Sequence, residues 1–204
     1  NRLGANSLLQ ASIDGLFILP ITLGNYLSQE LKCGKIDTSH ELFKAAEDTA
    51  KKRVTSLLAR RGTLTVDSFH RALGKIMWEA CAVSRNRAGL EKALVAIKEL
   101  QGSFSRNVIV TGGADEVNPE LEKAIRFTDF LGIAELMCLD ALQREESCGA
   151  HFREEHQTKE GEAVRNDDEF SFVSAWEFKS PGKFELHREE LSFEYLKPAT
   201  RSYK

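Results

Sequence analysis

Apolar side chains recur every three to four positions from about residue 38 to residue 143, and this spacing predicts amphipathic helices. Thr38 and Glu41 have the spacing of a capping box at the start of the first one. The last one has apolar residues on several faces, so we expect it to be the central and most buried helix. The four predicted helices run from Thr38 to about Gly62, from about Val66 to Ser84, from Arg87 to about Phe104 and from Asn118 to Gln143.

A further helix is predicted ahead of these four, from Ser7 to about Leu31, with Asn6 as its N-cap. Pro20 lacks a backbone N–H and is expected to kink or divide this helix. The longest apolar run, from Leu16 to Leu23, has only eight residues, which is too short to cross a bilayer. We therefore expect any membrane association to come through partner subunits.

The pattern changes after Gly149, where charged residues predict a surface loop over 157–169. Two segments, Phe170–Trp176 and Phe184–His187, then predict a hairpin that turns at residues 180–183. Leu191–Leu196 predicts a short third strand. The expected fold class is mainly α, a bundle of three to four helices followed by a small β-containing C-terminal tail.

Charge and cysteine content narrow the possible functions. With 28 basic and 31 acidic residues, the net charge is −3, which favours neither nucleic acid nor an anionic membrane surface as a partner. The four cysteines, at positions 33, 81, 138 and 148, lack the short spacing of a zinc site. We predict no metal site and expect reduced thiols, as in a cytoplasmic protein.

The start of the chain carries the residues best suited to bind a ligand. Arg2 precedes a Gly4-Ala5 turn and a helix start, and a guanidinium binds a carboxylate through two parallel hydrogen bonds. Ser7 and Leu8 fall in the first helical turn, where free N–H groups attract a second negative centre. From these residues alone, a surface arginine and an ordinarily capped helix remain open interpretations.

Three motifs in one order carry a resemblance to a known family. They are NRLGANSLL at residues 1–9, REESCGAHFR at residues 144–153 followed by two aspartates at 167–168, and KPATRSY at residues 197–203. With FHR at 69–71 and NRAGL at 86–90, they resemble the flavoprotein subunits of succinate dehydrogenase and fumarate reductase over nearly the whole chain. Two places depart from the family pattern: Cys148 replaces an arginine, and residues 157–167 form a variant loop.

The resemblance implies an FAD-dependent enzyme that interconverts succinate and fumarate by hydride transfer. Its electrons would pass to an iron–sulfur subunit and on through a membrane anchor subunit, at the inner face of the cytoplasmic membrane. In the family, the residue that matches Arg2 binds a substrate carboxylate, and those that match Ser7 and Leu8 contact the flavin. No residue of this chain is expected to be catalytic itself, because the proton-delivering arginine and most FAD-binding residues would lie upstream.

The resemblance also divides the chain into parts of a larger α+β flavoprotein. Residues 1–32 would end the FAD-binding domain, residues 33–145 would form the helical bundle, and residues 146–204 would form a C-terminal domain with short strands. No G-x-G-x-x-G dinucleotide fingerprint occurs in the 204 residues, and the chain starts inside a motif. We therefore expect the C-terminal part of a longer protein, inactive in isolation.

A second polar cluster, Glu145, His151 and Arg153, lies in the middle motif. A histidine in such a block is more often a structural hydrogen-bonding group than a catalyst. In the family, this block packs beneath the flavin domain and near the iron–sulfur subunit. We therefore interpret the cluster as positioning the fold.

Two other functions remain open. L-Aspartate oxidase is a soluble relative with a similar arginine motif that needs no iron–sulfur partner, although the strand-bearing tail ending in Arg201-Ser202-Tyr203 favours the dehydrogenase. A stand-alone helical interaction module would explain the amphipathic helices and the weak net charge. It would leave the motif at residues 1–9 without a role.

Overall fold

The computed structural model describes residues 6–32 and 34–199, in two compact units that divide between Thr55 and Ser56. The first unit opens with α1 (Asn6–Ile13), a π-helical turn (Asp14–Ile18) and α2 (Leu19–Glu30). The predicted long helix is therefore present, and it is divided as expected near Pro20.

The division comes from widening of the helix rather than from a break. The Leu19 N–H bonds the Asp14 carbonyl five residues back, and Pro20 occupies the first turn of α2. A proline in a first turn removes no hydrogen bond that the following helix needs. The π turn thus lets the chain stay helical across Pro20, because the missing N–H falls where a new helical segment begins.

Among the described residues, the helix Ser7–Glu30 is long and apolar enough to cross a membrane, by length and composition alone. This corrects the expectation from the eight-residue run, because the whole segment from Ser7 to Gln29 contains only one charged residue, Asp14. A core helix of a soluble protein meets the same test. None of its apolar window is buried within the described structure.

Helix α3 (Glu41–Leu58) begins later than the capping-box pattern predicts. The Asp37 carboxylate accepts the Ser39 N–H at 2.8 Å, and His40 Nδ1 accepts the Leu42 N–H at 3.3 Å. The predicted Thr38–Glu41 box is therefore wrong, since Asp37 forms a local turn that moves the first helical residue to Glu41.

The other three predicted helices are confirmed as α4 (Val66–Ala80), α5 (Arg87–Asn107) and α6 (Pro119–Gln143). Each begins at a side chain that accepts a backbone N–H of the first turn, which stabilises a helix start. These N-caps are Thr65, Asn86 and Asn118, which accept from Ser68, Gly89 and Leu121 respectively.

The core of the second unit lies where α4, α5 and α6 meet. Phe69, Phe104 and Phe127, one from each helix, contact one another with ring centroids 4.8–6.1 Å apart. The buried residues of α6 follow a single stripe at three- and four-residue steps: Leu121, Ala124, Phe127, Leu131, Ala134, Cys138 and Ala141. With seven buried residues, against four in α5 and three in α4, α6 is the most buried of these helices, as predicted, although Phe130 and Ile133 stay exposed outside the stripe.

Two short parallel strand pairs join the helices, and periodicity did not predict them. β1 (Leu64–Thr65) pairs with β3 (Val108–Ile109), and β2 (Ser84–Arg85) pairs with β4 (Phe152–Arg153). Gly62 lies at the first junction, where a Cβ would overlap the backbone carbonyl of Asn107. The glycine that the pattern identified as a helix stop is thus required four residues after α3, for close backbone approach.

The C-terminal hairpin is confirmed, with β5 (Phe172–Ser180) antiparallel to β6 (Lys183–Glu190). Gly182 supplies the left-handed turn with φ +72°. Phe170 lies in a short helix, α7 (Asp167–Phe170), and not in the first strand. Residues 191–196 form no strand, which corrects that prediction: within the described residues, β6 pairs only with β5.

Truncation of Phe127 to alanine tests the aromatic core. Phe127 is 1% exposed, so Phe127→Ala should lower the free energy of unfolding by about 3–5 kcal/mol, through lost burial and an unfilled cavity. Ile133→Ala, on the exposed face of the same helix, should cost at most about 1 kcal/mol. Urea denaturation of both variants measures the difference, and equal losses would contradict this packing.

Candidate functional site

The start of α1 presents the predicted flavin-contacting residues. Ser7 and Leu8 lie in its first turn, and Leu8 is 74% exposed. The first turn contains no acidic residue, so the positive end of the helix is not neutralised by its own side chains. Arg2 lies outside the described residues, as do residues 201–203 of the last motif, and the side chain of Asn6 is likewise not described.

Arg153 is the most deeply buried charge of the middle motif, with 1% of its surface exposed. Its NH1 group donates to the carbonyls of Ala141, Leu142 and Arg144, at 2.9, 3.2 and 3.4 Å. These carbonyls end α6 and have no partner within the helix. Nε donates to Glu155 Oε2 at 3.1 Å, so the guanidinium caps the negative end of α6 while remaining paired.

His151 lies beside this cap and is 4% exposed. Its Nε2 is 2.9 Å from the Arg144 carbonyl, and its Nδ1 is 2.9 Å from Arg85 NH1. A guanidinium can only donate, so Nδ1 accepts and the proton is on Nε2. Burial, together with the charges of Arg85, Arg153 and Arg144, lowers the pKa of His151. His151 is therefore a neutral structural residue, as the sequence indicated.

Arg144 and Glu146 join the end of α6 to the hairpin region. Glu146 is 2% exposed; its Oε1 accepts from Arg144 NH1 at 2.8 Å, and its Oε2 accepts the Asn166 N–H at 3.0 Å. Arg144 also donates to the carbonyls of Phe170 and Phe172, and its guanidinium lies over both rings. One ion pair thus holds the segment after α6 against α7 and the start of β5.

Glu145 does not join the cluster in which the sequence placed it. Its side chain is 46% exposed and pairs with Arg87 at the start of α5. The buried carboxylate is its neighbour Glu146. The network also includes Arg85, Arg144 and Ser147, which the sequence did not indicate. Ser147, fully buried, accepts the Arg153 N–H at 2.8 Å. The signal available was the density of polar residues in the motif, which does not reveal which of them face inward.

Cys148, which departs from the family pattern, is half-buried next to another arginine. Burial and the nearby Glu146 raise the pKa of its thiol, while Arg165 acts in the opposite direction. Arg165 itself forms a bidentate pair with Asp167, at 2.6–2.9 Å. Arg165 is therefore close enough to act electrostatically on the Cys148 thiol while it stays paired with Asp167.

A groove of about 940 Å³ runs beside the network, between the end of α6, α7 and the hairpin. Its charged residues are Arg87, Glu145, Asp168, Glu169, Arg188 and Glu190. Four carboxylates against two guanidinium groups do not suit a dicarboxylate ligand. Among the described residues, this groove therefore does not offer a binding site for the anion that is expected to bind at residues 1–9.

The hairpin carries three potential cation ligands, Glu177, Glu185 and His187, with their ligand atoms within 4.8 Å of one another. All three are exposed. Lys179 Nζ lies 2.7 Å from Glu177 and 2.9 Å from Glu185, so one ammonium group already forms ion pairs with both carboxylates. The three described cysteines, Cys81, Cys138 and Cys148, are free thiols.

Comparison with known proteins gives a consistent result. The family model described as fumarate reductase flavoprotein C-term matches residues 70–203. The fumarate reductase flavoprotein subunit of Helicobacter pylori is 30% identical over 175 residues, which is 86% of this chain and 24% of that protein. The succinate dehydrogenase flavoprotein subunit of Bacillus subtilis is 28% identical over the whole chain and 33% of its own length.

Solved structures agree with the sequence comparison. The FrdA subunit of Escherichia coli quinol fumarate reductase superposes with a TM-score of 0.70 and 25% identity, over 83% of this chain and 28% of FrdA. Mycobacterium smegmatis Sdh1, at 22% identity and a TM-score of 0.59, shares the fold over 74% of this chain and 24% of its own. The predicted fold class, a helical bundle with a small strand-bearing tail, is confirmed.

Removal of the Arg153 side chain tests the cap on α6. Arg153→Ala leaves buried carbonyls without a donor and Glu155 without its partner, so the free energy of unfolding should fall by about 3 kcal/mol. Arg126→Ala removes a guanidinium from α6 whose pair with Glu122 is 67% and 54% exposed, and should cost less than about 1 kcal/mol. Thermal and urea denaturation would reveal the contrast; a mild Arg153 variant would contradict the cap.

The lowered pKa of His151 predicts an acid-sensitive fold. Below the unfolded-state pKa of about 6.5, the unfolded chain takes up a proton that the folded chain refuses, so stability falls as the pH decreases. Above that pH, the contribution of His151 is constant. Unfolding free energies measured from about pH 7.5 to 5.5 should show this fall in the wild type and in His156→Gln. In His151→Gln the fall should be smaller, and an identical profile would refute the assignment.

Proposed function

This chain belongs to the fumarate reductase flavoprotein C-terminal family, and on that premise we propose that it acts within an enzyme interconverting succinate and fumarate. The observation that carries the proposal is the family match over residues 70–203, together with the agreement in fold with FrdA. The reaction would be hydride transfer between the dicarboxylate and FAD.

The chain spans about a quarter to a third of the length of the curated relatives that it matches. We propose that residues 1–32 complete a flavin-binding domain, that residues 33–145 form the helical bundle and that residues 146–204 form the C-terminal domain. The helix Ser7–Glu30 supports this division, since it exposes Leu16, Phe17 and Ile21 by 71%, 63% and 64%. Such a helix is stable when another apolar surface covers it.

The first turn of α1 fits the flavin role proposed for it. The N–H groups of Ser7 and Leu8 are at the positive end of a helix whose first turn lacks an acidic side chain. They would hold negative charge at the pyrimidine side of the flavin ring. A bound FAD would supply the hydride acceptor or donor, while this chain would orient it and stabilise its charge.

Arg2 would hold one carboxylate of the substrate, through the paired hydrogen bonds that a guanidinium forms with a carboxylate. Its role is binding and orientation, since a permanently charged guanidinium fixes the dicarboxylate beside the flavin. The proton moved during the reaction would come from a residue outside this chain. The isolated chain would accordingly be inactive.

The buried network from Arg144 to Arg153 would stabilise the fold and take no part in this chemistry. It holds the end of α6, β4 and the hairpin as one body, which is what a surface that docks a partner requires. We propose an iron–sulfur subunit as that partner, with a membrane anchor subunit beyond it, and a place on the inner face of the cytoplasmic membrane. The names of the solved neighbours, quinol fumarate reductase and the Sdh1 complex, support this proposal.

Substitution of Arg2 in the full-length flavoprotein tests the binding role. Arg2→Gln should lower kcat/KM for succinate and fumarate by about 10²–10³-fold, because the bidentate charge pair with a substrate carboxylate is lost. Flavin content and its visible spectrum should stay unchanged. Arg126→Gln, an exposed substitution on α6, is the matched control and should retain activity.

Other outcomes would overturn the proposal. Turnover of L-aspartate without dicarboxylate activity, and without a co-purifying iron–sulfur protein, would identify an L-aspartate oxidase. A full-length protein without flavin would indicate a helical interaction module. Full activity in Arg2→Gln would remove the substrate-binding role from Arg2 while leaving the family assignment in place.

A further inference from the structure

Three sulfur atoms meet where α4 ends against α6. Met77 and Cys81 are four residues apart and therefore lie on the same face of α4 at its C-terminal end. Cys138 lies on the buried stripe of α6. Its Sγ is 3.9 Å from Met77 Sδ, and the Cys81 and Cys138 thiols are close enough to influence each other's pKa. The Cys81 Sγ is also 3.8 Å from the Met137 carbonyl oxygen.

One side of the three-sulfur cluster is buried in the protein, and the other side borders a hollow that is open to solvent. Cys138 is fully buried and Cys81 is 5% exposed. Met77 and Cys81 line an open hollow of about 480 Å³, whose other lining residues are Gly74, Trp78, Ala82, Val83 and Arg85. Among the described residues that line the hollow, none adds an imidazole or a carboxylate to the three sulfurs.

We propose that Met77, Cys81 and Cys138 form a binding site for a soft monovalent cation, of which Cu(I) is the physiological example. Three sulfurs around one metal at bond lengths of about 2.3 Å stand about 4 Å apart, close to the 3.9 Å between Cys138 Sγ and Met77 Sδ. Thiolate and thioether ligands together select Cu(I), whereas structural Zn(II) takes four nitrogen or sulfur ligands. Three sulfur ligands are thus one too few for a structural zinc site and enough for Cu(I).

The charge balance of the bound state also fits. Binding releases the two thiol protons to solvent, and one Cu(I) with two thiolates carries a net charge of −1. Arg85 is close enough to favour the thiolate of both cysteines, while Asp140 acts in the opposite direction on Cys81. Arg85 Nε donates to the Ala82 carbonyl at 2.7 Å, which holds the guanidinium beside the hollow. No oxidation or reduction is involved.

Competition with a colorimetric Cu(I) chelator tests the site in the full chain, under anaerobic and reducing conditions. One equivalent of Cu(I) should be retained, and X-ray absorption should show three sulfur ligands. Cys81→Ser and Cys138→Ala should each weaken the retained affinity at least about 100-fold. Met77→Leu, which keeps the volume of the side chain, should weaken it about 10-fold and leave two sulfur ligands.

Cys148→Ser is the matched control, because Cys148 is a half-buried thiol outside the cluster, and it should bind Cu(I) like the wild type. Circular dichroism without metal separates lost ligation from a lost fold, and Cys138→Ala is chosen since it buries no new polar group. Retention of Cu(I) in both cluster cysteine variants would overturn the proposal. So would a stoichiometric disulfide between Cys81 and Cys138 in place of metal binding.

Discussion

The capping of the last turn of α6 by a buried guanidinium is the constraint on which the second half of the molecule depends. A helix 25 residues long ends inside the protein, where its final carbonyls cannot reach water. Arg153 supplies the missing donors from the strand β4, which pairs in parallel with β2. The polar motif after α6 folds back on this helix end, where Arg153 donates to three carbonyls and His151 to one of the same three.

The rest of the network follows from burying that charge. Arg153 needs a counter-charge, which Glu155 provides, and Ser147 accepts the Arg153 backbone N–H. His151 lies between a carbonyl and the Arg85 guanidinium, and burial together with the charges of Arg85, Arg153 and Arg144 lowers its pKa, which keeps it neutral. Arg144 pairs with the buried Glu146 and donates to the Phe170 and Phe172 carbonyls, which connects the network to the hairpin. The buried ionisable residues of this motif therefore hold neighbouring segments together.

The two units differ in how much of their apolar surface they bury. In the second unit, Phe69, Phe104 and Phe127 pack together between α4, α5 and α6. The network around Arg153 provides hydrogen-bond donors for the end of α6. In the first, the helix Ser7–Glu30 is apolar around its circumference and buries none of its apolar window. The chain spans about a quarter to a third of the length of the relatives that it matches, and within the described residues no apolar surface covers this helix.

The sequence by itself determined the helices from α4 to α6, the start of α6 at Asn118, the hairpin turn and the family. These depend on local spacing and local hydrogen bonds, or on motifs read in order. Only the tertiary structure decided which polar residues face inward: Glu146 is buried and Glu145 is not, although they are adjacent and chemically alike. It likewise decided the two-residue parallel pairs and brought Met77, Cys81 and Cys138 together. Residues distant in the chain come into contact only when the helices pack. The local sequence does not indicate which side chains of a short, irregular segment point toward a buried charge.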